Sequence, residues 1–271
     1  MPAPHAGVLG RPITHSLSPV LHRAAYAALG LTWTYDAIEC GVDDLAAVLT
    51  ERADWAGFSA TMPLKRALLD VAAEIRPAAE LVGAANTLLP GPDGWIADNT
   101  DVAGVTGALV ERDVHPSSVT VLGAGGTAQA VIVAMPDIGL DACAVLVRDV
   151  SRTAQLRAAA ERAGVALQIG SLESGAVALQ ADLVISTLPG GAADPLAARR
   201  WSSGQAVLDV VYSPWPTKLA ASAAAAGATV LSGGLMLLHQ AAAQVELMTE
   251  QPAPVEAMRA ALAAAAPGCG V

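Results

Sequence analysis

The sequence predicts an α/β protein of two domains, and three observations carry that prediction. Short apolar or β-branched runs alternate with longer helical patterns along almost the whole chain, as they do where crossover helices join parallel strands. The 271 residues are enough for two ordinary domains. Hydrophobic residues make up 54% and charged residues 15%, so the chain can bury a core and is not a disordered one.

In order along the first series, "AGVLG" reads as a strand and "SPVLHRAAYAALG" as a helix begun at Ser18, with Pro19 at its first position. "WTYDAIEC" is a second strand, "VDDLAAVLTERA" a helix and "WAGFSATM" a third strand. A helical stretch follows from Lys65, and "AANTLLPGPDGWIADNTD" has the form of two strands around a Pro/Gly/Asp turn. The region near Val102 to His115 connects to a second series. That series opens with the strand, glycine turn and helix of "SVTVLGAGGTAQAVIVAM", where Pro136 should stop or kink the helix. The strand "CAVLV", the helix "SRTAQLRAAAERAG" and the strands "DLVIST", "AVLDVVY" and "ATVLS" come next. "GLMLLHQAAAQVELM" and a last helix are expected to return and pack beside the first series.

Several function classes are disfavoured. The uncharged stretch Leu219 to Val245 is interrupted by Gly227, Gly233 and Gly234 and carries His239, Gln240 and Gln244, a poor lipid-spanning helix. The start, "MPAPHAGVLG", lacks a basic region followed by a long apolar run, so no secretory signal is read and a cytoplasmic protein is expected. Cys40, Cys143 and Cys269 are widely spaced with no CxxC pair, which suggests neither a disulfide framework nor a zinc site. No paired metal spacing accompanies His15 or His239, so no metal is expected. A net charge of -10 without a Lys/Arg cluster disfavours nucleic acid and anionic membranes as partners. A small molecule is the leading partner. The only phenylalanine is Phe58, so the core must be built largely of Val, Leu, Ile and Ala.

"VTVLGAGGTA" fits G-x-G-x-x-A directly after a strand and at the opening of a helix. Gly123 makes the tight turn, Gly125 lets the backbone approach a pyrophosphate, and Ala128 lets helix and sheet pack closely, as in the Rossmann dinucleotide-binding fold. The turn residues Gly123, Ala124, Gly125, Gly126 and Thr127 are therefore candidate cofactor contacts, with helix amides facing the anion. A purely structural glycine turn is the alternative. About 20 to 25 residues past the first glycine, "VRDVSR" places Arg148, Asp149 and Arg152 where such a fold meets the adenosine ribose. Arginines there suit a 2'-phosphate and an aspartate a free 2'-hydroxyl.

Three polar clusters in the first series are hard to explain as core. "THSLSP" sets Ser16 and Ser18 at a strand-to-helix junction; Ser18 serves readily as an N-cap, whereas Ser16 has no such excuse. "SATMPLK" puts Thr61 and Lys65 at a strand end, and "GAANTL" with "ADNTD" supplies Asn86, Asn99, Thr100 and Asp101. A lysine and a carboxylate lining a cleft between α/β units can act as an acid/base pair in hydroxyl-to-ketone redox chemistry.

The chain resembles the shikimate dehydrogenases in "GVLGRPITHSLSPVLH", "SATMPLK", "GAANTL", "DNTDVAGV", "GAGGTA", "DVVYSPWPTKL" and "GLMLLHQA", seven motifs in the family's order. The resemblance implies reversible NADPH-dependent reduction of 3-dehydroshikimate to shikimate, in the route to chorismate and the aromatic amino acids. It implies Lys65 and Asp101 as the catalytic pair at the substrate's C3 oxygen. Ser16, Ser18 and Tyr212 would hold the substrate carboxylate, and Thr61, Asn86 and Gln240 the ring hydroxyls. Val210 and Gly233 would join the glycine turn and the arginines around NADP(H). Serine at position 18, where quinate-oxidising relatives tend to carry threonine, favours shikimate. The implied layout is a substrate-binding catalytic domain over 1–102, with 236–271 packing back on it, and an NADP-binding domain over 103–235, in a monomer or homodimer.

One departure concerns the cofactor. The NADP-dependent members usually read N-R-T-x-x-R, and Asp149 replaces that threonine while Arg148 and Arg152 are kept. Two arginines against one aspartate favour NADP. An NAD-preferring quinate/shikimate dehydrogenase is the nearest rival, and a non-catalytic dinucleotide-binding regulator, which has no need of both Lys65 and Asp101, is a more distant one.

Overall fold

The computed structural model describes residues 3–173 and 178–271. The chain divides into two compact units, the first taking in residues up to Asp101 with Leu238–Ala265, the second Val102–Leu237 with Ala266–Val271.

The first unit runs β1 (His5–Gly10), α1 (Ser18–Ala28), β2 (Thr34–Glu39), α2 (Leu45–Glu51), β3 (Gly57–Ala60), α3 (Ala67–Val71), β4 (Glu74–Ile75), α4 (Pro77–Val82), β5 (Thr87–Gly91) and β6 (Gly94–Asp98). Its sheet has the order β2-β1-β3-β5-β6-β4. β1 pairs in parallel with β2 and β3, whereas β5 runs antiparallel to both β3 and β6. The Pro/Gly/Asp turn read from the sequence is a tight hairpin in which Gly91 faces Gly94 across Pro92 and Asp93. Leu9, Leu45, Leu49, Phe58, Leu64, Leu68 and Leu88 form the core. That core fixes β1 and β3, whose C-terminal ends lead into the "THSLSP" and "SATMPLK" segments.

α5 (Asp101–Glu111) leads into the second unit, followed by β7 (Val119–Leu122), α6 (Gly126–Val133), β8 (Ala142–Val147), α7 (Ala154–Ala163), β9 (Ala166–Ser171), β10 (Leu183–Ser186), β11 (Ala206–Asp209), α8 (Lys218–Ala225) and β12 (Thr229–Ser232). α9 (Gly233–Thr249) carries the chain back to the first unit, where α10 (Val255–Ala265) packs against α1. The second sheet is parallel throughout, ordered β12-β11-β10-β7-β8-β9. Successive residues along its strands enter opposite cores. Val121, Val145, Ile185 and Leu208 lie in one, and Leu122, Leu146, Val184 and Val207 in the other. Burial on both faces explains why these strands read as unbroken apolar runs. The order reverses between β7 and β10, the place where open parallel sheets receive their ligands.

The structure departs from the sequence expectation in several places. Ser18 is not the N-cap of α1; Leu17 holds that position, and the Ser16 hydroxyl accepts a hydrogen bond from Ser18 N at 3.3 Å. The helical stretch from Lys65 begins only at Ala67, and the helix expected from Ser151 begins only at Ala154, after a 3-10 turn over Val150–Arg152. β4, β9 and α8 were not anticipated from the sequence. α6 ends at Val133, and Pro136 starts a separate 3-10 turn, Pro136–Ile138. Of the segment 236–271, residues up to Leu237 and the last six belong with the second unit, where the Ser232 hydroxyl donates to Gly270 O at 3.1 Å. Among the described residues no helix is long and apolar enough to cross a membrane.

Candidate active site

Lys65 follows β3 in a turn, and its carbonyl accepts Ala85 N at 2.7 Å, which ties the turn to the segment leading into β5. Asp101 is the first residue of α5. The Lys65 Nζ donates to Asp101 Oδ2 at 2.5 Å, with the lysine side chain 20% exposed and the aspartate 6%. An ammonium and a carboxylate in contact, one reachable from solvent and the other buried, form a pair whose proton can be presented to a bound oxygen. Asp101 is held from two further sides. Its own N–H donates to Asn99 Oδ1 at 2.9 Å, and its Oδ1 accepts from Asn86 Nδ2 at 2.8 Å.

Asn86, just before β5, is the hub of the unit. Its Nδ2 lies 3.0 Å from Thr100 Oγ1 and 3.0 Å from Gln240 Oε1 as well as 2.8 Å from Asp101. An amide nitrogen carries two hydrogens, so three acceptors leave one contact that can be given up to a ligand. Its Oδ1 accepts Thr100 N at 2.8 Å and the Thr87 hydroxyl at 2.9 Å. Gln240 and Gln244 are one turn apart on α9, hence on one face; Gln244 Nε2 donates to Asn86 O at 3.1 Å and to Thr87 Oγ1 at 3.0 Å. Thr61 closes β3, its N–H on Leu9 O at 2.9 Å and its carbonyl accepting Leu64 N at 2.9 Å. Lys65, Asp101, Asn86 and Gln240 therefore meet directly. In the same unit Ser16 lies in the connection from β1 to α1, Ser18 opens α1 and Thr61 follows β3, while Tyr212 belongs to the second unit.

In the second unit Gly123 follows β7 with φ +110, and a Cβ there would lie 2.5 Å from Thr187 Oγ1. Thr187 ends β10, and both its N–H and its hydroxyl donate to Leu122 O, at 2.9 and 2.8 Å. The turn is thus clasped at the sheet's reversal point. Gly125 is different: φ is -77, and a Cβ would meet nothing within 4 Å. The protein's own packing gives no reason for glycine at Gly125. A dinucleotide pyrophosphate passing the N-terminus of α6 supplies one, so the residues fit that group. Gly233, by contrast, is required internally, since a Cβ would fall 1.9 Å from Val210 O.

"VRDVSR" begins at the buried last residue of β8, Val147, and continues onto the surface, with Arg148, Asp149 and Arg152 all exposed. Asp149 Oδ1 accepts Ser151 N at 2.9 Å and the Ser151 hydroxyl at 2.6 Å, so the aspartate caps the 3-10 turn Val150–Arg152. Those hydrogen bonds, with a smaller contribution from Arg152, hold its carboxyl below the usual range. The Tyr212 loop is anchored at Asp209, which accepts the Thr217 hydroxyl at 2.7 Å and Val211 N at 3.3 Å. Burial raises the Asp209 carboxyl and the Tyr212 hydroxyl above their ordinary values.

Sequence reasoning missed Thr187, Thr87, Gln244 and His22. The polar end of "DLVIST" was a signal for Thr187, since a threonine ending an apolar strand beside the glycine turn is well placed to brace it. Thr87, Gln244 and His22 stand on separate elements, and no spacing in the sequence joins them.

The family model described as the shikimate dehydrogenase substrate binding domain matches residues 8–88, and that of the shikimate 5'-dehydrogenase C-terminal domain matches 235–263. The shikimate dehydrogenase of Mycobacterium tuberculosis, a crystal structure, is 47% identical with a TM-score of 0.88, over 96% of this chain and 99% of that one. A shikimate 5-dehydrogenase of Thermus thermophilus, solved with NADP(H) and shikimate, is 31% identical with a TM-score of 0.85, over 97% and 99%. The curated shikimate dehydrogenase (NADP(+)) of Halobacterium salinarum is 40% identical over 269 residues, 95% of this chain and 98% of that one.

Proposed function

Because the chain belongs to the shikimate dehydrogenase family, we propose that it catalyses the reversible, NADPH-dependent reduction of 3-dehydroshikimate to shikimate, on the route to chorismate and the aromatic amino acids. The observation that carries this reading is the Lys65–Asp101 pair at 2.5 Å, braced by Asn86. In the reduction Lys65 Nζ donates a proton to the C3 oxygen, and in the reverse direction the pair takes it back. Asp101 accepts from Lys65 and keeps its ammonium oriented. Asn86 and Gln240 exchange part of their mutual contact for ring hydroxyls, together with Thr61. Ser16, Ser18 and Tyr212 offer hydroxyl donors to the substrate carboxylate.

The bound nicotinamide supplies the hydride. Gly123, Ala124, Gly125, Gly126 and Thr127 would hold the pyrophosphate, Arg148 and Arg152 the 2'-phosphate, and Val210 and Gly233 the nicotinamide end. The Asp149 cap accounts for an aspartate at that position without a ribose, which favours NADPH. The enzyme acts in the cytoplasm as a monomer or homodimer.

The test is to give purified protein 3-dehydroshikimate and follow the absorbance of NADPH and NADH in parallel. Turnover with NADPH, and a lower kcat/KM with NADH, is expected. No turnover with either contradicts the enzyme reading, and NADH preference contradicts the cofactor assignment.

A further inference from the structure

Behind Asn86 lies a line of polar side chains that the reaction does not call for. Thr87, Gln244 and His22 are each fully buried, Asn86 is 1% and Asp101 4% exposed. They come from four elements: Asp101 from α5, Asn86 and Thr87 from the start of β5, Gln244 from α9 and His22 from α1. An apolar set would fill that space without risk, whereas a buried polar group left unpaired costs more than a made hydrogen bond returns.

Backbone groups set the direction of the hydrogen bonds. Asn86 O, a carbonyl, can only accept, so the Gln244 atom 3.1 Å away is the amide nitrogen. That nitrogen also lies 3.0 Å from Thr87 Oγ1. Accepting there turns the Thr87 hydroxyl proton toward Asn86 Oδ1, 2.9 Å away. At Asn86 the Thr100 N–H, which can only donate, approaches Oδ1 at 2.8 Å. The amide of Asn86 is thereby oriented with its oxygen toward Thr87 and its nitrogen toward Asp101. At the far end Gln244 Oε1 faces His22 Nε2 at 3.4 Å, and His22 Nδ1 faces the Tyr26 hydroxyl at 3.3 Å. With Gln244 so oriented, His22 carries its proton on Nε2 and accepts from Tyr26 on Nδ1. Every donor from Tyr26 inward thus points toward Asp101.

We propose that Thr87 and Gln244 are positioning residues for catalysis, with His22 holding Gln244, because together with the Thr100 N–H they lock Asn86 with its amide N–H on the Asp101 carboxylate. The outer contacts of 3.3 and 3.4 Å are long, so the inner two links carry most of the effect. His22 suits the outer place because burial lowers its pKa from 6.5 to about 3 and keeps it neutral. Its ring is stacked on Tyr35 at 4.0 Å, and Tyr35 in turn bonds Ser59. A flipped Asn86 would set its carbonyl oxygen against the Asp101 carboxylate, replacing a hydrogen bond with a repulsion that displaces the carboxylate from the position it holds beside Lys65.

The inference rests on the dehydrogenase reading, and one arm of its test does not need turnover. Thr87→Val keeps the shape and removes the hydroxyl, whereas Thr87→Ser keeps the hydroxyl. The expected result is a kcat lower by about ten-fold for Thr87→Val with the NADPH KM unchanged, and recovery to within about two-fold for Thr87→Ser. A folded Thr87→Val with a kcat like the parent's overturns the proposal, as does equal loss in both variants. The second arm is nitrogen-15 NMR of the unmodified protein with labelled histidine. Neutral His22 protonated on Nε2 is expected, and protonation on Nδ1 overturns the chain's direction. Absence of turnover in the unmodified protein would fail the dehydrogenase reading, while the NMR arm would still decide the direction of the chain.

Discussion

The two units are built for their tasks from different material. In the first, side chains of Lys65, Asn86, Asp101 and Gln240 are gathered from a turn, a strand end, a helix start and a helix face by hydrogen bonds to one another. In the second, the candidate site is mainly backbone and room: a glycine turn clasped by Thr187, and Gly125 with nothing within 4 Å of a Cβ. A side-chain site is sensitive to the loss of a functional group, and a backbone site to the gain of one. The same conservative mutation therefore has opposite meanings in the two halves of the chain.

The largest effect expected is on the first unit's pair. Lys65→Ala should lower kcat by about 10²- to 10⁴-fold while the thermal midpoint stays close to the parent's; near-normal kcat by steady-state assay removes Lys65 from the chemistry. Next is Gly125→Val, expected to raise the NADPH KM roughly 100-fold with stability close to the parent's, since a Cβ at this position meets no protein atom within 4 Å. Gly233→Ala sharpens the contrast. Its Cβ would lie 1.9 Å from Val210 O, so it should cost about 1–3 kcal/mol in denaturant unfolding whether or not cofactor is present.

A smaller effect belongs to the buried histidine of the first unit. His22 has a folded pKa of about 3 against 6.5 in the open chain. Between those values the unfolded chain binds a proton that the folded one does not, so stability falls as pH drops from 6.5 toward 3, by up to about 1.4 kcal/mol per pH unit. The groups around His22, namely Tyr26, Tyr35 and Gln244, carry no charge at these pH values. Urea unfolding at several acidic pH values should show a shallower slope in His22→Phe, and equal slopes would rule out the buried neutral ring. The smallest effect is expected at Asp149→Asn, which can keep the cap on Ser151 and removes a charge beside Arg148 and Arg152. The NADPH/NADH ratio of kcat/KM should rise about two- to five-fold, in line with the weak energetics of exposed charge pairs.

Legibility in the sequence followed the same division. The parallel sheet could be read because its strands are buried on both faces and appear as apolar runs, as in "TVL" and "DLVIS". β9 was missed because Leu167 and Ile169 alternate with Gln168 and Gly170 at the sheet's edge, and α8 because its run of alanines offers little contrast between faces. The glycine turn was legible as a local motif, and Lys65, Asp101 and Asn86 as polar residues in otherwise apolar surroundings. The bonds that join them were not. Asn86 and Gln240 lie far apart along the chain and meet only when α9 returns to the first unit. Ser16 and Ser18 show the reverse: the local rule gave the cap to Ser18, while the backbone uses the Ser16 hydroxyl.

The division between a catalytic side-chain unit and a backbone cofactor unit is tested most directly by fluorescence titration of NADPH into Lys65→Ala and Gly125→Val side by side. The account predicts that Lys65→Ala binds NADPH within about two-fold of the parent despite its lost turnover, and that Gly125→Val binds it at least about ten-fold more weakly. Loss of NADPH binding in Lys65→Ala, or unimpaired binding in Gly125→Val, would contradict it.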